Sequence, residues 1–219
     1  MFFPIGDDNV RGRSKPVFTY LLIIINCYIF WQQLQLSPEQ IEKFFYTYGA
    51  VPSKIWSGQD LHTLVTSMFL HGGWMHLIGN MIFLWIFADN IEVTIGSFRF
   101  ILFYLVGGIV AALVHCFVLQ GSTIPCIGAS GAISATLGAY LVMFPSSRIR
   151  VLFIFFSFRV SAFVFLGFYI IQQVMAGWES LELKAAETSG VGYWAHIGGF
   201  AYGFIRGFFM RGQVSKAYT

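Results

Sequence analysis

Charged side chains are scarce in this chain of 219 residues: 11% are charged, against roughly 25% in an ordinary soluble domain. So few charges cannot cover the surface of a water-soluble protein of this size. The 13 basic and 10 acidic residues leave a net charge of +3, spread along the chain, which excludes the basic stripe of a nucleic-acid-binding protein. Apolar residues make up 57% and the mean hydropathy is +0.70, which excludes a disordered chain. The composition predicts one compact domain embedded in a lipid bilayer.

Cysteine is also rare. Cys27, Cys116 and Cys126 are odd in number and lack the spacing of a metal site, so we expect no obligatory disulfide, no metal and no cofactor.

Six stretches contain no Asp, Glu, Lys or Arg and approach the roughly 20 residues that a membrane-spanning helix needs. They are residues 17–36, 61–88, 100–125, 128–147, 160–178 and 188–205. We therefore predict an all-α, polytopic membrane protein with six transmembrane helices over residues 17–210. A cytoplasmic segment, 1–16, precedes them and a cytoplasmic tail, 211–219, follows. The first stretch is too long for a cleaved signal peptide, and no small-residue cleavage site follows it, so we expect it to stay as an anchor.

The basic residues indicate the orientation. Six spans place both termini on one side, and that side would carry Arg11, Arg13, Lys15, Arg99, Arg148, Arg150, Arg159, Arg206, Arg211 and Lys216. The other side would carry only Lys43, Lys54 and Lys184. Because Lys and Arg concentrate in cytoplasmic loops, we expect both termini in the cytoplasm.

Two further segments are apolar without being spans. Residues 151–158 are too few to cross a bilayer and are expected at the membrane interface beside basic residues. In the long loop 37–67, Ile41, Phe44, Phe45 and Tyr48 follow the i, i+3, i+4, i+7 pattern of a short amphipathic helix. We expect that helix to lie partly in the outer leaflet.

The fourth span begins with Ser130 between Gly128-Ala129 and Gly131 and continues with small residues. Small residues let helices pack closely, which explains most of the pattern. Packing does not require a serine between glycines at the start of a helix. A nucleophile would benefit from it, because substrate backbone can approach and free N–H groups there stabilise negative charge.

The sixth span carries His196, Gly199 and Gly203 at i, i+3 and i+7, on one helix face. The glycines suit close contact with the small residues of the fourth span. Both spans run in the same direction, so Ser130 and His196 would lie at the same depth and could form a hydrogen-bonded nucleophile–base pair. The alternative is a histidine bonded to a backbone carbonyl.

The second span places His76 and Asn80 at i, i+4 on one face, at the depth of Ser130. Two donors there could stabilise a developing oxyanion. The alternative is an ordinary polar contact between helices.

The three motifs together resemble the rhomboid family of intramembrane serine proteases, over almost the whole chain. The resemblance implies that Ser130 is the nucleophile and His196 the general base and acid, without a triad carboxylate. It implies an oxyanion hole made of His76, Asn80 and the Ser130 N–H. The partners would be the lipid bilayer and transmembrane protein substrates, cut near their outer ends and admitted past the fifth span as a side gate.

The chain departs from the family pattern at two places. His62-Thr63 stand where many bacterial relatives have Trp-Arg in the first outer loop. Ser134 stands where many have an aromatic residue under the histidine, and Tyr140 or Tyr202 could compensate for its absence. Glu92 fits the family pattern and is expected to be structural.

Two other functions compete with proteolysis. One is a catalytically dead relative that binds transmembrane clients, although such proteins usually lack the serine or the histidine. The other is a small transporter, which should show internal repeats or polar groups reaching mid-membrane from both sides. Neither pattern is present. The absence of a transit peptide and of further domains favours a bacterial inner membrane.

Overall fold

The computed structural model describes residues 2–8, 15–182 and 191–214 and is mostly helical. The helices are α1 (Val17–Gln33), α2 (Pro38–Tyr48), α3 (Pro52–Trp56), α4 (Thr63–Thr66), α5 (Trp74–Ile95), α6 (Ser97–Val118), α7 (Ser130–Met143), α8 (Ala162–Glu182) and α9 (Tyr193–Met210). Short 3-10 turns occupy Ser67–Phe69 and Arg211–Gln213. The strands are β1 (Phe2–Gly6), β2 (Arg148–Phe153) and β3 (Phe156–Ser161). An all-α fold was expected, so the sheet is a correction.

Three of the described helices, α5, α6 and α8, are long and apolar enough to cross a membrane. Helices α1 and α7 are apolar but shorter, with 17 and 14 residues. Helix α9 has 18 residues and carries Arg206 near its end. The crossing of six helices therefore stays a prediction.

The predicted spans differ most from the helices at the second span. Residues 61–73 form α4, a 3-10 turn and a loop ending in two glycines, and α5 begins only at Trp74. An uncharged stretch shows which residues can lie in a membrane. It does not show which of them belong to one continuous helix. For the same reason α6 ends at Val118, before the end of its uncharged stretch.

The sheet is antiparallel, in the order β1-β2-β3. In the hairpin, Ile149 pairs with Val160 and is fully buried, while Ile154 makes the turn with a φ of 55°. The hairpin contains the whole segment expected at the interface, 151–158, and its tip is strongly exposed, with Phe155 at 89%. Strand β3 leads directly into α8, so the sheet fixes the beginning of that helix.

The core lies around α7, whose residues from Gly131 to Tyr140 are all buried. Its neighbour α9 approaches so closely that a methyl group on Gly203 would lie 1.7 Å from the Ala135 carbonyl oxygen. A methyl group on Gly199 would lie 2.1 Å from the Gly131 carbonyl oxygen. The predicted packing of the sixth span's glycine face on the fourth span is confirmed.

A buried carboxylate holds the first helix in place. Glu92 on α5 accepts hydrogen bonds from the backbone N–H groups of Phe18 and Thr19, at 2.9 and 2.7 Å, and from the Thr19 hydroxyl. These are the free N–H groups at the start of α1, where a negative charge is favourable. Glu92 therefore has the structural contacts expected of it.

The long segment between α1 and α5 folds over one end of the bundle. Ser37 caps α2 with a capping box that includes Gln40, which confirms the predicted short helix. Further along, Ala50 and Cys126 exchange two backbone hydrogen bonds, at 3.0 and 2.9 Å. The segment thereby fixes the loop that leads into α7.

Candidate active site

The loop before α7 delivers Ser130 as the first residue of the helix. The Gly128 N–H donates to the Ser67 carbonyl at 2.9 Å, and Gly128 has a φ of +124°. A side chain there would be strained, and its Cβ would lie 2.6 Å from His76 Nε2. Glycine at this position therefore lets the His76 ring lie beside Ser130.

Ser130 and His196 are in hydrogen-bond contact. The Ser130 Oγ lies 2.8 Å from His196 Nε2, across the interface of α7 and α9. The other ring nitrogen, Nδ1, lies 2.7 Å from the Gln173 Oε1 on α8. A carbonyl oxygen only accepts hydrogen bonds, so Nδ1 is the donor. In the neutral ring, Nε2 is then free to accept from the Ser130 hydroxyl.

His76 presents its second ring nitrogen to the same place. The Gly72 N–H points at His76 Nδ1, at 3.4 Å. With Nδ1 as the acceptor of this long hydrogen bond, the neutral ring carries its proton on Nε2, the nitrogen that faces Gly128. His76 therefore offers an N–H donor close to Ser130.

Asn80 lies one turn further along α5 and is buried. Its Nδ2 has no hydrogen-bond partner within the described part of the chain. A buried donor without an acceptor is costly, because burial removes the water that would otherwise bind it. This donor is therefore available to an acceptor that enters the site.

These side chains line one cavity of about 830 Å³. Its lining consists of Gly72, Gly73, Trp74, Met75, His76, Asn80, Ile127, Ser130, Val191, Gly192 and His196. All four residues predicted from the sequence lie around this one space. Among the residues with described positions, no group of His, Cys, Asp and Glu could hold a metal ion.

The loop before α5 is fixed by a reciprocal pair of bonds. Gln33, at the end of α1, donates to the His71 carbonyl at 2.7 Å and accepts from the His71 N–H at 3.1 Å. Burial, with His76 beside it, lowers the pKa of His71 to about 3. His71 is therefore neutral and adds no charge to the cavity.

The prediction that Tyr140 or Tyr202 could support His196 is wrong. Tyr140 bonds to Asp7 and Ser147 at the other end of α7, and Tyr202 stacks on Phe103. Both rings are held in these other contacts, away from the His196 ring nitrogens.

Helix α8 supplies the contacts instead. Gln173 meets His196, and the Tyr169 hydroxyl lies 2.6 Å from the Ser134 hydroxyl. The sequence analysis missed both residues. A signal was present, because Gln173 is a polar side chain within an uncharged span, and such residues are costly in a membrane unless they have a role.

A second cavity, of about 600 Å³, lies between α8, the hairpin and α5. Its lining is mainly apolar and includes Phe83, Val151, Phe158, Phe165 and Phe168. Helix α8 thus packs on α7 and α9 but leaves an open space toward Phe83 of α5.

The Rhomboid domain model of protein families matches residues 58–213, which contain every residue of the cavity around Ser130. The chain belongs to the rhomboid family. It is a membrane protein with apolar helices, and its helix α7 lies at the centre of the matched region.

Relatives of this rhomboid are found in bacteria, plants and mammals. It is 34% identical to "Rhomboid protease GluP" of Bacillus subtilis, over 64% of this chain and 27% of the relative. It is 31% identical to "RHOMBOID-like protein 4" of Arabidopsis thaliana, over 73% of this chain and 36% of that protein. It is 28% identical to "Rhomboid-like protein 11, chloroplastic" from the same plant, over 90% of this chain and 67% of that protein. The match thus spans about a quarter to a third of the first two relatives.

Proposed function

We propose that this rhomboid is an intramembrane serine endopeptidase that cleaves transmembrane segments of other membrane proteins near the outer membrane face. One observation carries the proposal: the Ser130 Oγ lies 2.8 Å from His196 Nε2, and both face a cavity lined by the unpartnered Asn80 Nδ2 donor. A nucleophile, its base and the donors for an oxyanion are the parts that acyl transfer requires.

In the proposed reaction, the Ser130 Oγ attacks the peptide carbonyl carbon while its proton moves to His196 Nε2. The tetrahedral intermediate collapses as the C–N bond breaks, and His196 gives the proton to the leaving amine. The acyl-enzyme ester then reacts with a water molecule, which His196 deprotonates. Ser130 recovers its proton, and the new carboxyl terminus leaves.

The oxyanion would be held by the His76 Nε2–H, the Asn80 Nδ2–H and the Ser130 backbone N–H. The last is free because the first N–H groups of a helix lack intrahelical acceptors. Removing one donor of an oxyanion hole lowers the rate by roughly 10² to 10³. We expect that loss in kcat for Asn80→Ala, measured with a cleavable transmembrane substrate. An unchanged kcat would exclude Asn80 from the oxyanion hole.

Water access follows from the length of α7. Its 14 residues extend about 21 Å, less than the roughly 30 Å of the hydrocarbon core. A helix that short can begin below the outer surface, with the cavity above Ser130 filled by water. Backbone that is not helical is tolerated at such depth when it lines a water-filled cavity.

The substrate must lose helical structure locally, because a helical carbonyl is already hydrogen-bonded. We therefore expect a preference for segments with Gly, Pro or polar residues near the cut. Cleavage of a poly-Leu span as fast as a Gly-containing one would contradict this. The apolar cavity beside α8 supports entry past that helix, which would act as the side gate.

For location, we propose a bacterial inner membrane with both termini in the cytoplasm. The support is the concentration of Lys and Arg on the side of the termini. The named relatives include a chloroplastic protein, so protease mapping of both termini in inverted vesicles is the direct test.

The experiment that tests the function compares the purified protein with Ser130→Ala and His196→Ala on a fluorescent transmembrane substrate. Ser157→Ala and His62→Ala serve as matched controls, because both side chains are exposed and lie outside the cavity. We expect cleavage by the wild type and both controls, and none by Ser130→Ala. Equal cleavage by all five proteins would show a contaminating protease. No cleavage by the folded wild type, with no fluorophosphonate labelling, would favour a dead relative.

A further inference from the structure

Helix α8 contacts the two helices that carry Ser130 and His196 through two polar side chains one turn apart. Tyr169 and Gln173 are at i and i+4, so they project from the same face. That face meets α7 through the bond of Tyr169 to Ser134 and α9 through the bond of Gln173 to His196. These are polar contacts between helices inside an apolar bundle, where a lost partner is costly.

The contact at His196 determines which ring nitrogen carries the proton. With the Gln173 Oε1 as partner, Nδ1 must donate, so Nε2 has a lone pair directed at the Ser130 hydroxyl. With the amide NH₂ as partner, Nδ1 would accept and the ring proton would lie on Nε2. That nitrogen would then have no lone pair to accept the serine proton. The orientation of one side-chain amide therefore separates a ring that can act as a base from one that cannot.

We propose that Gln173 is the positioning residue of His196, and that α8 orients the base only while it is packed against α9. This inference rests on the proposed function. In triad proteases a carboxylate holds the corresponding nitrogen. A neutral amide does the same work at this depth without burying a charge, which would be expensive between apolar helices.

The other titratable groups that face His196 are His76 on α5 and His115 on α6. Neither is bonded to Nδ1, whose partner within the described chain is Gln173. Ser130 holds the opposite nitrogen. The tautomer of His196 therefore depends on α8, the helix that borders the open apolar cavity.

Gln173→Leu removes the acceptor at nearly constant volume, and Gln173→Glu keeps an acceptor oxygen in the same place. Gln32→Leu is the matched control, because its side chain is exposed on α1 and lies outside both cavities. We expect kcat to fall roughly 10- to 100-fold in Gln173→Leu, the effect of losing one hydrogen bond at the reacting group. KM should change little, Gln173→Glu should recover most of the rate, and Gln32→Leu should match the wild type.

The tautomer itself is measured by ¹⁵N NMR of histidine-labelled protein, with the His196 signals assigned by their loss in His196→Gln. The wild type should show a protonated Nδ1 and a bare Nε2, and Gln173→Leu should show a mixture of tautomers. Wild-type kcat in Gln173→Leu, or a protonated Nε2 in the neutral wild-type ring, would overturn the proposal. A wild type that cleaves nothing but shows the expected tautomer change would contradict the proposed function and support the positioning role.

Discussion

Two helix contacts in this rhomboid are built in opposite ways. Helices α7 and α9 touch backbone to backbone, with Gly199 and Gly203 against the carbonyl groups of α7. Helix α8 has an outer face that is exposed from end to end, with Val164 and Ile171 at 58% and Met175 at 67%. Its polar contacts with α7 and α9 run through Tyr169 and Gln173.

The difference separates two tasks. The contact of α7 with α9 fixes the backbones that carry Ser130 and His196, and interlocked backbones cannot slide without breaking many contacts. The contact of α8 is made by side chains next to an open cavity. It can therefore break and re-form while the contact of α7 with α9 stays intact. A rigid pair of helices thus holds the reacting residues, and a looser helix holds their partners.

The largest effect is expected from adding one methyl group to the contact of α7 with α9. Gly203→Ala forces Cβ against the Ala135 carbonyl, so the helices must separate, and overpacking in a core costs about 1–3 kcal/mol or more. The matched change on α8, Gly167→Ala, meets nothing within 4 Å and should gain about 0.5–1 kcal/mol from helix propensity. Thermal unfolding in detergent measures both. Equal melting temperatures for the two variants would contradict the contrast between the helices.

A smaller effect is expected from loosening α8. Tyr169→Phe keeps the ring but removes the hydroxyl bonded to Ser134, a loss of about 0.5–1.5 kcal/mol. Hydrogen–deuterium exchange should rise in α8 and stay unchanged in α7 and α9. Tyr20→Phe, on the exposed face of α1, is the control and should change neither region. Faster exchange across all three helices would show that α8 is part of the rigid core.

A pH-dependent effect is expected at the sheet that fixes the beginning of α8. Asp7 follows β1 and bonds to Tyr140 and Asn90, and burial raises its pKa from 3.8 to about 6. The folded protein therefore holds the proton more tightly than the unfolded chain. Stability is greatest below pH 4 as far as Asp7 is concerned, and it falls as the pH rises from about 4 to 6.

Melting temperatures between pH 4 and pH 8 test this. The wild type should lose stability relative to Asp7→Asn over the lower half of that range. Asn keeps an acceptor oxygen but does not titrate, so it isolates the ionisation. A wild type that gains stability relative to Asp7→Asn as the pH rises would show that the sign is wrong.

The sequence predicted the parts of the site that depend on helix periodicity. His196, Gly199 and Gly203 share a face by spacing alone, and that spacing led to the correct partner helix. His76 and Asn80 share a face at i, i+4 for the same reason, and both line the cavity that contains Ser130. Repeats of 3.6 residues hold inside a helix whatever surrounds it.

Contacts between residues far apart in the sequence could not be predicted from local patterns. The pairing of β1 with β2 was missed because the two strands lie more than 140 residues apart in the sequence, and no local pattern predicts such a pairing. Gln173 was missed because its contact with His196 depends on how α8 leans on α9. The second span began too early because residues 61–73 lack charge, although they form irregular structure.

The central claim is that His196 activates Ser130, and labelling by a fluorophosphonate tests it without any substrate. The folded wild type should be labelled at Ser130, as located by peptide mass spectrometry, and His62→Ala should be labelled at the same rate. Labelling should be lost in His196→Ala. An unlabelled wild type, or a His196→Ala variant labelled as fast as the wild type, would contradict the account.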